Sequence, residues 1–245
     1  MAKVKSRTSG NGYQPPYTVS EQAISLIAEI AAALERYKIA MEGPDGLRLR
    51  RVNHIRTIRG TTAIEGNTLT EEQITAVLSG KRVSASRREV AEIKGAHAAY
   101  GMIENIDPCS AKDLLRVHAA MMNGLVDGAG AFRSRGVGVV DGFGNVLHMA
   151  PPAARVHALV GDLLAWVRES SAHPLVKSCV FHYEFEFIHP FADGNGRMGR
   201  LWHTLLLAQW KPFFAWLPIE ELIAKRQQEY YRALQLADSS NDSSC

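Results

Sequence analysis

The residues best suited to chemistry lie together in one stretch, His-Pro-Phe-Ala-Asp-Gly-Asn-Gly-Arg-Met-Gly-Arg, which runs from His189 to Arg200. A neutral imidazole can accept a proton near pH 7. A carboxylate such as Asp193 is the kind of ligand that Mg²⁺ takes alongside phosphate oxygens. Glycines on both sides of Asn195 allow a tight turn whose backbone N–H groups converge on an anion. The stretch therefore predicts a phosphate-binding loop with a general base, His189, at its edge.

Two predicted helices position this loop. Pro190 disfavours helical geometry at His189, so a buried helix that starts at Pro174 should end there and turn the imidazole outward. A second helix restarts after Gly196, and its positive N-terminal end should face the same anion. Arg197 and Arg200 are three residues apart and are predicted to lie on one face of its first turn. The alternative for each feature taken singly is an ordinary surface loop between two core helices. The apolar residues of the two helices are Val176, Val180, Tyr183, Phe185 and Phe187, then Leu201, Trp202, Leu205 and Leu206.

Taken together, the stretch resembles H-x-F-x-D-G-N-G-R-x-x-R, the signature of the Fic family, at every specified position. The resemblance implies an all-α helical bundle with one small β-hairpin, the flap. It also implies a protein adenylyltransferase, which transfers AMP from ATP to a hydroxyl group of a target protein. His189 is then the catalytic base and Asp193 the ligand of Mg²⁺. The nucleotide-binding residues implied are Asp193, Gly194, Asn195, Gly196, Arg197, Arg200, Tyr230 and Tyr231.

An earlier segment contains an acidic residue in an unfavourable place. Apolar residues at helical spacing predict a helix at about 48–66, with Gly66 as a left-handed C-cap. Glu65 in its last turn faces the negative end of the helix dipole, so it should need a cation from elsewhere. Thr61, Glu65 and Gly66 resemble the inhibitory motif of Fic proteins, S/T-x-x-x-E-G/N. The resemblance implies that Glu65 pairs with Arg200 and that Thr61 helps to orient it; the alternative is an exposed glutamate near a helix end.

The pattern changes between Gly128 and Pro152, where short valine-rich runs flank Asp141-Gly-Phe-Gly-Asn145. This pattern predicts a β-hairpin at about 135–150. By resemblance it is the flap, which holds the Ser, Thr or Tyr segment of a target protein as an added strand. The alternative is a connecting hairpin without function.

Residues 20–238, which include all the segments above, are predicted to form a single domain. A flexible arm (1–19) precedes it and a disordered tail (239–245) follows it. His118 lies on an apolar helical face and is interpreted as a hydrogen-bonded core residue. Four further helices are predicted with both ends, namely Ser20–Ala40, Arg87–Ile103, Ala154–Arg168 and a single helix Ile219–Ala237. Two more are predicted from their caps: one starts with a capping box at Thr70 and runs through Leu78, and one is capped by Ser110.

Composition bounds the class of protein. The 245 residues carry a net charge of +3, which is too mild to indicate a nucleic-acid partner. An apolar run long enough to span a membrane, or to act as a signal peptide, is absent from the sequence. The three cysteines are widely spaced and suit neither a disulfide framework nor a zinc site. These features predict a cytoplasmic protein without a membrane partner.

Several functional alternatives remain open at this point. Some Fic relatives transfer UMP, phosphocholine or phosphate, or remove AMP, and a different class is an inactive interaction module or toxin–antitoxin component. Gly196 and Arg197 disfavour the phosphate-transferring variant, and a scaffold has no need of His189. The sequence leaves open the target, the donor, the trigger that relieves inhibition, a homodimer, and a missing C-terminal domain.

Overall fold

The computed structural model describes residues 8–9, 12–42, 46–140 and 146–243, and this part of the chain is a bundle of α-helices. The all-α prediction is confirmed. In chain order the helices are α1 Glu21–Glu42, α2 Gly46–Ile64, α3 Glu71–Leu78, α4 Arg87–Tyr100, α5 Ala111–Met121, α6 Val156–Glu169, α7 Pro174–Ile188, α8 Asn195–Trp210, α9 Ile219–Lys225 and α10 Gln227–Ser240. Short 3₁₀ turns occur at Ile103–Asn105, Ala153–Arg155 and Pro212–Trp216.

Helices α7 and α8 form the centre of the bundle and pack against each other. Their facing apolar side chains, such as Phe181 and Phe185 of α7 and Trp202 of α8, are completely buried. Burial on this scale supplies most of the stability of a helical core. Because both helices are fixed by the core, the six residues that join Ile188 to Asn195 are held at a defined place.

Local sequence signals set several helix starts. The hydroxyl group of Thr70 accepts from the N–H of Gln73, whose side chain accepts from the N–H of Thr70, so the predicted capping box of α3 is present. Ser110 caps α5 as predicted by accepting from the N–H of Asp113. Ser86 starts α4 with a further capping box.

Helix α2 is held in place by close packing against α9. A Cβ atom at Gly60 would overlap the backbone of Glu220 and Glu221, so the two backbones meet where only glycine fits. The helix ends at Ile64, and Gly66 follows with φ +92°, the left-handed geometry predicted for the cap. Glu65 therefore lies just beyond the last helical turn.

Within the described residues, strands are confined to two short antiparallel hairpins. Strands β1 (Thr8–Ser9) and β2 (Gly12–Tyr13) pair near the start of the chain. Strands β3 (Gly138–Val140) and β4 (Val146–Met149) form the predicted hairpin, with Val139 opposite His148 and an irregular register beside it. The predicted hairpin turn, residues 141–145, lies outside the described residues.

The chain also differs from its prediction near both ends. Within the predicted flexible arm, the hydroxyl group of Tyr13 donates to Glu184 Oε2 at 2.5 Å. Within the predicted disordered tail, Ser243 is buried and its hydroxyl donates to Glu184 Oε1 at 2.6 Å. Composition alone misses these contacts, because their partner is a buried carboxylate far away in the sequence.

The predicted single helix Ile219–Ala237 is wrong, since the chain forms two helices there. Arg226 leaves helical geometry, with φ −121° and ψ 35°, so α10 starts in a new direction. This break brings α10 against α7. In the described part of the chain, no helix combines the length and apolar character that crossing a bilayer requires.

Candidate active site

A cavity of about 280 Å³ opens where α7, α8 and α10 meet. It contains the imidazole of His189, the loop that follows it and the carboxylate of Glu65. Its lining residues are Glu65, His148, Tyr183, Glu186, Phe187, His189, Ala192, Asp193, Gly194, Asn195, Gly196, Arg200, Tyr230, Tyr231, Leu234, Gln235 and Asp238. The structure thus brings the predicted base, loop and inhibitory residue together in one place.

His189 ends α7 in a left-handed conformation with φ 49°, which is uncommon for a residue other than glycine. Its Nδ1 lies 3.2 Å from the carbonyl oxygen of Glu186. A carbonyl only accepts, so Nδ1 carries the proton and Nε2 keeps a free lone pair. Burial lowers the pKa of His189 below its usual value of 6.5. The imidazole is therefore neutral at pH 7, with Nε2 as the basic atom.

Arg133 holds the end of α7 in this geometry, and sequence reasoning missed it. Its guanidinium is buried and donates to the carbonyl oxygens of His189 at 2.7 Å and Ile188 at 3.2 Å. It also donates to Pro151 O at 2.6 Å and Arg135 O at 2.9 Å. Arg133 thereby connects His189 to both sides of the β3–β4 hairpin. A lone arginine in a glycine-rich segment gives no periodic signal, so only the folded contacts disclose it.

The loop after His189 is closed by its own polar groups. Asp193 Oδ1 accepts from the N–H of Gly194 at 2.6 Å and lies 3.3 Å from Arg197 Nη2, while the side chain stays 40% exposed. Gly194 has φ +86°, which favours glycine, and helix α8 begins at the next residue. The positive end of α8 therefore faces the cavity beside an accessible carboxylate.

The structure adds two details to the predicted loop. Gly196 is in the first turn of α8, so among the two flanking glycines only Gly194 adopts positive φ. Asn195 is buried, and its side chain bonds the backbone of Phe191, accepting from N–H at 2.8 Å and donating to C=O at 2.9 Å. Asn195 therefore closes the loop with its side chain.

His118 supports the loop from below. Its Nδ1 accepts from the N–H of Gly130 at 2.9 Å, so Nε2 carries the proton and donates to Asp193 O at 3.0 Å. The ring is buried and stacks on Phe191, with 3.6 Å between ring centroids. His118 is a hydrogen-bonded core residue, as the sequence predicted.

The two arginines of α8 contact different partners. Arg197 is buried and reaches Asp193 through Nη2, while its Nε and Nη1 lack partners in the described structure. Arg200 is equally buried but lines the cavity. Arg197 thus supports the loop from behind, and Arg200 is the one of the two that faces a ligand in the cavity.

Glu65 and Arg200 form a close ion pair. Arg200 Nη2 donates to Glu65 Oε1 at 2.7 Å and to the carbonyl oxygen of Thr61 at 3.1 Å. The Thr61 hydroxyl accepts from Arg200 Nε at 3.3 Å. Burial by itself would lower the pKa of Arg200, but the carboxylate of Glu65 raises it overall. Gln227 of α10 donates to Ile64 O at 3.0 Å and fixes the end of α2 beside the pair.

The two tyrosines of α10 occupy the opposite wall. The Tyr230 hydroxyl lies 2.8 Å from Nε2 of the buried His182, and burial raises the pKa of Tyr230. Tyr231 is 42% exposed and lies at the cavity edge. Both rings line the cavity, where a planar base would have aromatic surface to pack against.

The carboxylates suit a magnesium ion that arrives with phosphate. Among the described residues, no three His, Cys, Asp or Glu side chains cluster as a complete metal site. Mg²⁺ normally keeps several waters and takes only one or two carboxylates together with substrate phosphates. The exposed carboxylate of Asp193, beside the positive end of α8, fits that requirement.

Comparison with known proteins agrees with this geometry. A family model described as Fic/DOC matches residues 108–207. A Fic family protein from Desulfovibrio desulfuricans G20, known from a crystal structure, is 54% identical and superposes with a TM-score of 0.90. That match covers 95% of this chain and 71% of the other. The chain belongs to the Fic family. The family assignment rests on most of the fold and not on the loop alone.

Other members of the Fic family are more distant. A protein named protein adenylyltransferase Fic from Drosophila ananassae is 31% identical over 233 residues, which cover 89% of this chain and 41% of that protein. Protein adenylyltransferase fic-1 from Caenorhabditis elegans is 29% identical over 202 residues, or 78% and 38%. A solved structure of Fic-1 from C. elegans superposes with a TM-score of 0.65 at 25% identity, covering 88% and 67%. The chain spans about two fifths of the curated relatives it matches.

Proposed function

We propose that this Fic protein is an adenylyltransferase that moves AMP from ATP to a Ser, Thr or Tyr hydroxyl of a target protein, and that Glu65 inhibits it. The observation that carries the proposal is the neutral His189 with a free Nε2, in one cavity with the Asp193–Arg200 loop. The names of the relatives from D. ananassae and C. elegans support the reaction. The cytoplasm remains the expected location.

The proposed reaction uses each group in a defined way. Nε2 of His189 removes the proton of the target hydroxyl, whose oxygen then attacks the α-phosphorus of ATP. A new P–O bond forms, the bond between the α-phosphorus and the bridging oxygen breaks, and pyrophosphate leaves with the electron pair. Backbone N–H groups at the start of α8 stabilise the charge on the phosphate oxygens.

Asp193 would hold Mg²⁺ together with phosphate oxygens. When bound, the ion neutralises charge on the triphosphate and on the departing pyrophosphate. Arg197 keeps Asp193 oriented for this task through the contact at 3.3 Å. Tyr230 and Tyr231 would pack against the adenine.

Inhibition follows from what Arg200 can bind at one time. With Glu65 in place, the guanidinium is occupied by Glu65 and Thr61 and cannot grip the γ-phosphate. A hydrogen bond between charged groups contributes about 1.5–3 kcal/mol, which is enough to favour this closed state. ATP can still enter with its phosphates turned, so that the α-phosphorus is out of line with the target hydroxyl. Misalignment alone costs orders of magnitude in rate.

The identity of the nucleotide donor, and the group transferred from it, distinguish this function from the alternatives within the family. In an assay with the Glu65→Gly protein, label from the α-phosphate of ATP should become attached to protein. Label from the γ-phosphate should be released as pyrophosphate. Retention of γ-label would indicate a kinase, and transfer only from UTP or CDP-choline would indicate another donor. Release of AMP from a previously adenylylated target would indicate the reverse reaction. Absence of every transfer with competent targets would contradict the proposal.

The flap is proposed to bind the target segment as an added strand through backbone hydrogen bonds. Proline at Gly138 of β3 or Met149 of β4 removes an N–H donor that the strand register directs away from the partner strand, so each should reduce target modification by about fivefold per hydrogen bond lost. Threonine at the same positions is the matched control, because it keeps the donor and suits a strand. Modification rates and ATP affinity are measured in parallel. Equal loss of both would mean that the flap only supports the fold.

A further inference from the structure

Glu186 is an acidic residue of the cavity to which the proposed reaction gives no role. It lies on α7, one turn before His189, and lines the same cavity as Arg200. Its Oε1 atom is shielded from solvent and has no hydrogen-bond partner among the described residues. Leaving a buried polar atom without a partner is unfavourable, so such an atom calls for an explanation.

The carboxyl group of Glu186 is confined by its neighbours. A Cβ atom at Gly199 would overlap Oε1 of Glu186 and would lie 3.2 Å from the ring of His182. Because only glycine fits at this position of α8, the carboxyl group sits directly against the turn that carries Arg200. It is a built part of the cavity wall.

The charges that act on Glu186 come from two side chains. Burial raises the pKa of Glu186 to about 7; Arg200 lowers it, and Glu65 raises it further. The other titratable groups on this side are neutral near pH 7. Burial lowers the pKa of His182 to about 3 and that of His203 to about 4, and it raises the pKa of Tyr230. The groups facing Glu186 are thus Glu65 after α2, Arg200 of α8, Tyr230 of α10 and His182 of α7 itself, and His182 in turn contacts His203 of α8.

We propose that Glu186 is the alternate counterion of Arg200, a positioning residue that holds the guanidinium in place when Glu65 withdraws. In the closed state Glu65 pairs with Arg200, and Glu186 keeps its proton. In the open state Glu186 releases that proton to solvent and becomes the carboxylate that faces Arg200. The inference rests on the proposed function in one respect, namely that Glu65 must leave Arg200 before ATP can bind productively.

The direction of the pH dependence follows from the two states. Glu65 raises the pKa of Glu186, so the closed state binds the proton more tightly than the open state. Raising the pH through about 7 removes that proton and shifts the population toward the open state. Below this pH the closed state is favoured, so inhibition by Glu65 should be deepest there.

The first measurement is the activation that Glu65→Gly produces over the parent, taken at about pH 6 and about pH 8. The rate of the Glu65→Gly protein is divided by that of the parent at each pH, because titration of His189 changes both rates alike. The activation should be larger at the lower pH, by roughly tenfold for each pKa unit that Glu65 adds to Glu186. In the Glu186→Gln background the ratio should not change with pH, since the amide keeps the shape but cannot ionise.

Glu184→Gln is the matched control. Glu184 is a buried acid on the same helix, but its carboxylate is bound by Tyr13 and Ser243 and not by Arg200. This variant should keep the pH dependence of the parent. If Glu186→Gln also keeps it, or if Glu184→Gln removes it equally, Glu186 is not the counterion.

A second measurement needs no nucleotide. The melting temperature lost on Glu65→Gly should be larger at about pH 6 than at about pH 8, and Glu186→Gln should make the two losses equal. If no transfer occurs with any donor, the proposed function fails while the melting data still test the counterion. If transfer occurs but Glu186→Gln leaves the pH dependence of both the activation ratio and the melting-temperature loss intact, the counterion role of Glu186 is rejected. The proposed function then stands.

Discussion

Replacing Glu65 with glycine is expected to raise self-adenylylation and target adenylylation by roughly tenfold to a hundredfold. The variant removes the carboxylate that occupies Arg200 at 2.7 Å. Losing a charged hydrogen bond of about 1.5–3 kcal/mol from the closed state accounts for that range. Freed of Glu65, the guanidinium can bind the γ-phosphate and align the α-phosphorus with the hydroxyl. Initial rates with α-labelled ATP, at saturating Mg²⁺, measure the effect.

Glu71→Gly is a matched control for this experiment. Glu71 has a similar exposure, 35% against 31%, and also contacts arginines, but it lies on α3 away from the cavity. It should leave the rate within about twofold, as surface substitutions usually do. If the Glu65→Gly protein is no more active than the parent, Glu65 is not inhibitory and is an ordinary residue at a helix end.

Replacing His189 in the Glu65→Gly background should abolish transfer, with a loss of about a hundredfold to ten-thousandfold, because no other group supplies the basic Nε2. ATP binding should persist, since the loop closes through Asp193, Asn195 and Arg197. Single-turnover transfer and equilibrium ATP binding, measured side by side, test both halves. With His189 present, the rate should fall as the pH drops through the lowered pKa, below about 6.5.

Backbone strain must be separated from loss of the base. His189 has φ 49°, a conformation that asparagine tolerates better than alanine does. Both His189→Ala and His189→Asn should be inactive, whereas the asparagine variant should fold and bind ATP like its parent. Transfer at the normal rate by either variant would show that His189 is not the base.

Much of the site was predictable because it is local in the sequence. Pro190 predicts the end of α7, Gly66 the cap after α2, and the signature after His189 a phosphate loop. The misplacement of Glu65 at its own helix end predicts that it needs a cation, and Arg200 is found there. These signals are carried by backbone geometry and charge within a few residues.

The remainder depends on contacts between distant segments. Arg133 and Glu186 show no pattern, and their importance comes from carbonyls and charges that only folding brings near. The divergence of Arg197 and Arg200 depends on which partner lies within reach of each guanidinium, not on their spacing. The break at Arg226 is likewise not predictable from a proline or glycine in the sequence. It arises because packing of α10 against α7 overrides helical propensity.

The glycine contact between α2 and α9 limits how the proposed inhibition by Glu65 could be relieved. At Gly60 the two backbones touch with no side chain between them, so α2 cannot slide or swing as a rod without separating from α9. The contact is only five residues before Glu65 and acts as a fixed hinge point. Thr61 and Ile64 are buried as well, so the part that can move is the exposed end beyond them, Glu65 and Gly66. Under the proposed inhibition, an activator therefore needs to displace only Glu65 and Gly66, and the helical core stays in place.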